Sequence, residues 1–208
     1  MAFIPDAFQL DIGQRARLLL EPVIGSIIPD VLVGVWSGEL PRCAGLNSVS
    51  RHILAWLSVQ KIVDTEQALR EHLFLSQHAT ANAVASLKRV GAIIKRDSGE
   101  VEIRPEFDIS CSVRLIAIEL KLKRWREALE QAIVYRKFTD EAHVVLDGNQ
   151  IRMNAQIRAA FLDSGVGLLL QRSGNLTREI EAHSIVPEPS VDRLVALTKL
   201  ATGPYCLA

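Results

Sequence analysis

Two acids and a lysine stand at the ends of apolar runs in this chain, and their types suit phosphodiester chemistry. Pro29-Asp30 opens the run Val31 to Val35, and Leu115-Ile116-Ala117-Ile118 leads into Glu119-Leu120-Lys121. A strand places alternate side chains on one face. Glu119 and Lys121 are therefore expected to project together, with Ile116, Ile118 and Leu120 packing on the other side. A phosphodiester resists attack because its oxygens are negatively charged and its alkoxide leaving group is poor. Two carboxylates can hold Mg²⁺ or Mn²⁺ against that charge. An ammonium beside them can orient water or stabilise charge developing on the phosphate.

The flanking sequence must supply the elements that position these groups. A helix is expected over residues 6–20, with Leu10, Ala16, Leu18, Leu19 and Leu20 in its apolar complement. Pro22 and Gly25 break it before a strand over 27–36. The strand carrying Glu119 and Lys121 is followed by a helix over 124–138, with Ala128, Leu129, Ala132 and Ile133 facing a core. Further on, the pattern predicts a strand at 142–146, a helix at 153–162 and strands at 165–171 and 176–180. A last helix is capped by Ser190 and stopped by Gly203.

Between the two apolar strands the texture changes. Ser48 can cap a helix carrying Val49, Ile53, Leu54 and Leu57, and Asp64 or Thr65 starts a second. Ser76 caps a third, in which Ala79, Ala83, Val84, Leu87 and Val90 recur at helical spacing before Gly91. Two short strands flank the turn Asp97-Ser98-Gly99, which is a hairpin signal. Three short helices and a hairpin resemble a winged helix over about residues 47–104. The resemblance makes the third helix the recognition helix, exposing Gln77, His78, Asn82, Ser86 and Arg89, with Lys95, Arg96 and Arg104 on the wing. The plainer use of such a subdomain is dimerisation, giving a homodimer.

The order of helix, strand with Pro-Asp, strand with Glu-x-Lys, helix and strand resembles the PD-(D/E)XK nuclease superfamily, over residues 6–36 and about 112–180. Gln131 and Tyr135, four apart on the helix after the Glu-x-Lys strand, resemble the Gln-x-x-x-Tyr element of its RecB-like branch, which helps to position nucleic acid. The resemblance implies an α/β restriction-endonuclease-like core with a mixed central sheet flanked by helices. This core spans 1–46 and 109–208, and an inserted winged-helix subdomain spans 47–108. It implies a Mg²⁺- or Mn²⁺-dependent DNA endonuclease with Asp30, Glu119 and Lys121 as catalytic residues. The metal is then held by Asp30, Glu119 and the backbone carbonyl of Leu120. An additional acid from the first helix is expected at Glu21, with Asp11 as its rival. Arg114, Lys123, Arg124 and Arg126 could contact the DNA backbone. The competing reading is a non-catalytic DNA-binding regulator that uses the nuclease-like fold as a scaffold or dimerisation unit.

Composition constrains these readings. The chain has 208 residues, 49% hydrophobic and 23% charged, as expected of a folded protein with a buried core. Lys+Arg and Asp+Glu balance at 24 each, so any nucleic-acid surface must be a local patch. Three cysteines, Cys43, Cys111 and Cys206, share no metal-ligand spacing. That argues against a zinc site or disulfide framework and for a reducing, cytoplasmic setting. No signal peptide or membrane span is expected. There is no Gly-rich phosphate loop and no Gly-x-Ser-x-Gly elbow to offer a rival chemistry.

Overall fold

A computed structural model describes residues 13–37, 46–60, 64–107, 113–187, 190–202 and 206–207. The chain forms two compact units. One comprises residues 1–38, 114–187 and 203–208, and the other 39–113 and 188–202. Among the described residues no helix is long and apolar enough to cross a membrane.

The first unit is α/β, built on a mixed seven-stranded sheet. Its strands are β1 (Gln14–Leu20), β2 (Val31–Ser37), β6 (Val113–Lys121), β7 (Glu141–Asp147), β8 (Gly167–Arg172), β9 (Asn175–Ile180) and β10 (Cys206–Leu207). They lie in the order β10-β1-β2-β6-β7-β8-β9. The β6-β7 and β7-β8 pairs are parallel. Helices α4 (Trp125–Tyr135) and α5 (Ala155–Ser164) make the crossovers, as parallel neighbours require. The β8-β9 pair is an antiparallel hairpin. It closes through Ser173 and Gly174, whose φ values of 48° and 84° suit the tight turn that matches strand twist.

The helix expected over 6–20 is overturned where it can be seen. Gln14–Leu20 is a strand, paired antiparallel with β2 from Gln14↔Ser37 to Leu20↔Val31; residues 6–12 lie outside the described residues. Arg and Leu favour helices, but propensity is a weak prior that tertiary pairing overrides. The segment also has a strand's period of two. Ala16 and Leu18 face one way, into a cluster with Val31, Val33, Val35, Ile116 and Ile118. Arg17 faces the other, its guanidinium 5.9 Å from the centre of the Trp36 ring.

Apolar burial on both faces of β2 and β6 follows from their central place in the sheet. Ile116 and Ile118 join the core cluster with Val33 and Val35. Leu120, expected to pack with them, is 45% exposed. It lies on the same side by alternation but at the strand end, beyond the covering layer. On the opposite face α4 buries Ala128, Leu129, Ala132 and Tyr135.

The second unit contains α1 (Ser48–Gln60), β3 (Asp64–Thr65), α2 (Glu66–His72), α3 (Gln77–Arg89), β4 (Ile93–Lys95), β5 (Glu100–Ile103) and α6 (Val191–Thr202). Its three-stranded sheet has the order β3-β5-β4. Local signals set the boundaries. Thr65 and Ser76 accept hydrogen bonds from the amides of Ala68 and Ala79, each satisfying a donor that the first turn leaves free. At the start of α1 the capping oxygen is that of Asn47, which accepts from the Ser50 amide, so Ser48 is not the cap. The core is formed by Ile53, Leu54, Leu57, Leu69, Leu87, Ile93 and Val101, none more than 2% exposed. Helix α6 packs on α1.

Candidate active site

Strand order brings the two acidic motifs together. β2 and β6 are neighbours in the sheet, and the Asp30 carboxylate accepts the Leu120 amide at 2.7 Å. Asp30, which precedes β2, therefore sits one residue from Glu119. Alternation carried back from Val31, Val33 and Val35, which face the core cluster, puts Asp30 on the opposite face, as it does Glu119.

Glu119 is 1% exposed, an expensive position for a carboxylate unless its oxygens are satisfied. Both are. Oε1 pairs with Lys121 Nζ at 2.6 Å, and Oε2 accepts from the Tyr135 hydroxyl at 2.6 Å, in the range of a charge-assisted bond. The spacing Glu-x-Lys creates the first contact by strand alternation. The second requires α4 to lie over this face with Tyr135 turned inward.

These contacts shift the ionisation of both donors. The hydrogen bond to Glu119 is the largest influence on Lys121 and raises it above its ordinary 10.5. Burial opposes that rise, the charges of Glu119 and Asp30 reinforce it, and Arg124 lowers it slightly. Lys121 is thus a fixed cation near neutral pH. For Tyr135 burial is the largest influence, followed by the bond to Glu119 and the charges of Glu119 and Asp30. All push the phenol well above its usual range, so it stays a neutral donor.

The chemistry of the donor set suits a hard divalent cation. Asp30 and Glu119 offer carboxylate oxygens from neighbouring strands, and Glu119 already attracts a positive charge. Among the described residues no three His, Cys, Asp or Glu side chains gather as a metal cage. Asp30 and Glu119 are the two carboxylates that the described residues bring together here. Mg²⁺ is commonly held by one or two carboxylates, with water and phosphate completing its shell.

The other expected residues are distributed unevenly. Glu21 is exposed and follows a strand, not a helix. Its amide donates to the Asp30 carbonyl at 2.9 Å, and its φ of 45° is unusual for a residue other than glycine. Asp11 lies outside the described residues. Gln131 is exposed on α4 whereas Tyr135, four residues on, is 2% exposed. Tyr135 thus offers the site a hold on Glu119, not a surface. Lys123 and Arg124 are exposed just past Lys121, with Arg124 paired to Glu127 at 3.0 Å. Arg126 stacks over Trp125 at 4.5 Å. Arg114 does not join this group. It pairs with Glu141 at 3.7 Å, and seven residues of strand separate it from Lys121 by roughly 23 Å.

In the second unit Gln77, His78, Asn82 and Arg89 are exposed on α3, and Ser86 is half-buried. His78 Nε2 lies 2.9 Å from Asn82 Nδ2. Lys95 and Arg96 sit beside the hairpin turn, each 2.6 Å from an acid, Glu66 and Glu102 respectively.

Two features escaped the sequence reading. One is the Tyr135-Glu119 bond, whose only signal was a hydroxyl on the apolar face of a helix. The other is a cleft of about 310 Å³ at the carboxyl ends of the parallel strands β6, β7 and β8, lined by Lys121, Leu122, Val145, Asp147 and Gln171 among others. Open α/β sheets commonly bind ligands at this end. Comparison with known proteins returned no match: no family model, curated protein or solved structure is significantly similar to this chain.

Proposed function

We propose that the chain is a metal-dependent DNA endonuclease, with a restriction-endonuclease-like core and a winged helix that grips DNA. The observation that carries the reading is the buried Glu119, held by Lys121 and Tyr135, one residue from the amide that binds Asp30. An apolar sheet has no need of this group, and burying it incurs a desolvation cost. Perturbed ionisable groups beside a cleft favour a functional site.

Asp30 and Glu119 would hold Mg²⁺ or Mn²⁺, which would offset phosphate charge and make water more acidic. Lys121 directs its ammonium at the phosphate or the attacking water and stabilises charge in the transition state. Tyr135 fixes the Glu119 rotamer. Lys123 and Arg124 are placed to meet backbone phosphates. Residues 121–126 carry four Lys or Arg and no Asp or Glu, a local basic stretch within a neutral chain.

Three helices followed by a hairpin, in a sheet of order β3-β5-β4, support the winged-helix reading of the second unit. Helix α3 would then present Gln77, His78, Asn82 and Arg89 to a groove. One observation favours the non-catalytic alternative. Glu119 is fully satisfied by Lys121 and Tyr135, as an inert structural pair would be.

Cleavage separates the two readings. With Mg²⁺ or Mn²⁺ the protein is expected to nick or cut supercoiled, linear, branched or single-stranded DNA, and EDTA to stop it. Lys121→Ala should slow cleavage by about 10²-fold or more while DNA binding persists. Equal rates for wild type and Lys121→Ala would point to a contaminating nuclease. No cleavage of any substrate would favour the regulator.

A further inference from the structure

The two donors on Glu119 are not equivalent. Tyr135 is 2% exposed on the buried face of α4, packed edge-on to Phe138 with ring centroids 6.5 Å apart. Its hydroxyl lies 2.6 Å from Glu119 Oε2 and 3.5 Å from the Ile28 carbonyl, so both acceptors hold it at this position. The Lys121 side chain is 24% exposed and lines the cleft at the strand ends. Its ammonium sits on a flexible four-carbon stem.

We propose that Tyr135 is the permanent positioning residue of Glu119 and that Lys121 is a placeholder cation, which a divalent metal displaces from Oε1 on binding. The inference rests on the metal-site reading above. An ammonium 2.6 Å from Oε1 stands where an inner-sphere cation would. Two positive charges cannot share that position, since like charges a few ångströms apart in a partly buried site repel strongly. Metal binding therefore releases Lys121, and the released ammonium becomes available to the phosphate. Until then the burial of Glu119 is compensated from within the chain.

The test is a calorimetric titration of the DNA-free protein with Mn²⁺, which reads metal affinity without any cleavage step. Lys121→Met removes the competitor and should bind Mn²⁺ about tenfold more tightly than wild type. Lys121→Arg keeps a cation on Glu119 and should stay near wild type. Tyr135→Phe loses the outer hydrogen bond and should bind about tenfold more weakly, as such losses typically do. A merely structural role gives weaker binding at both positions, not opposite signs. Circular dichroism checks each fold, and Lys121→Gln replaces Lys121→Met if the latter does not fold. If wild type binds Mn²⁺ and Lys121→Met binds it equally or more weakly, the exchange is overturned and the nuclease reading stands. If no variant binds Mn²⁺, both fail.

Discussion

At the end of β6, Glu119 is 1% exposed with a donor on each oxygen. In the three-helix unit the charged pairs Lys95-Glu66 and Arg96-Glu102 lie at the surface, with side-chain exposures from 32% to 51%. The distances are the same, 2.6 Å in each ion pair, but their energetics differ. A surface pair forms in high dielectric, is screened by salt and is worth little. A buried carboxylate must be compensated, so removing its partners is costly. Residues 47–108 hold eight basic and eight acidic side chains, so this unit lacks the strong positive field expected of a dedicated DNA grip. A positive excess lies instead beside the site, in 121–126, where Lys121, Lys123, Arg124 and Arg126 stand without an acid. Preorganised charge thus sits with the proposed chemistry, while the helical unit presents neutral polar groups and exchangeable pairs.

The largest effect expected from this contrast is at Glu119. Glu119→Ala takes the short hydrogen-bond acceptor from the buried Tyr135 hydroxyl and the ion-pair partner from Lys121, and should destabilise the fold by about 2 kcal/mol in urea unfolding. It should also abolish Mn²⁺ binding. A loss under about 1 kcal/mol would mean that the site is no more preorganised than a surface pair.

A pH series sharpens the same contrast. Lys121 is raised above its ordinary 10.5, and its pairing therefore stabilises fully below that pH and is lost as pH rises through its folded value. Tyr135 is raised above 10.0, and above that pH the unfolded chain ionises more readily than the fold. Both effects erode stability on the alkaline side. The melting temperature of wild type should therefore fall more steeply above about pH 10 than that of a Tyr135→Phe, Lys121→Met double variant. Glu141 acts at the other end of the range. Burial pushes it up, but the His143 hydrogen bond and the His143, Arg114 and Arg178 charges outweigh that and lower it below 4.5. Its contribution is present above that pH and lost as pH falls through its folded value.

The smallest effects belong to the second unit. Lys95→Ala and Arg96→Ala should each change stability by less than about 1 kcal/mol. Combined with Arg89→Ala they should weaken DNA binding and flatten the salt dependence by a slope of less than about 3. The slope falls short of the full count because Lys95 and Arg96 already have acids for partners. Unchanged affinity across a salt titration would remove this unit from DNA contact.

How far the sequence revealed this arrangement depended on the range of the interactions involved. Asp30, Glu119 and Lys121 were legible because Pro-Asp and Glu-x-Lys each end an apolar strand, where alternation fixes the facing residues. The helices at 66–72 and 77–89 were legible from Thr65, Ser76 and a period of 3.6. β1 was not, because Arg15, Arg17 and Leu18 to Leu20 are good helix formers and only pairing with β2 selects a strand. The Glu119-Tyr135 bond depends on how α4 docks on the sheet, which no spacing encodes. Arg114 was misplaced because nearness in sequence to Glu119 was taken as nearness in space, although an extended strand carries it away at about 3.3 Å per residue.

The most direct test of the central claim is a crystal structure of the protein soaked in Mn²⁺, with anomalous data to locate the metal. The account predicts an anomalous peak in contact with both Asp30 and Glu119, with Tyr135 still on Oε2 and the Lys121 ammonium off Oε1. No peak at that position, with Lys121 still on Glu119 at saturating Mn²⁺, would contradict it.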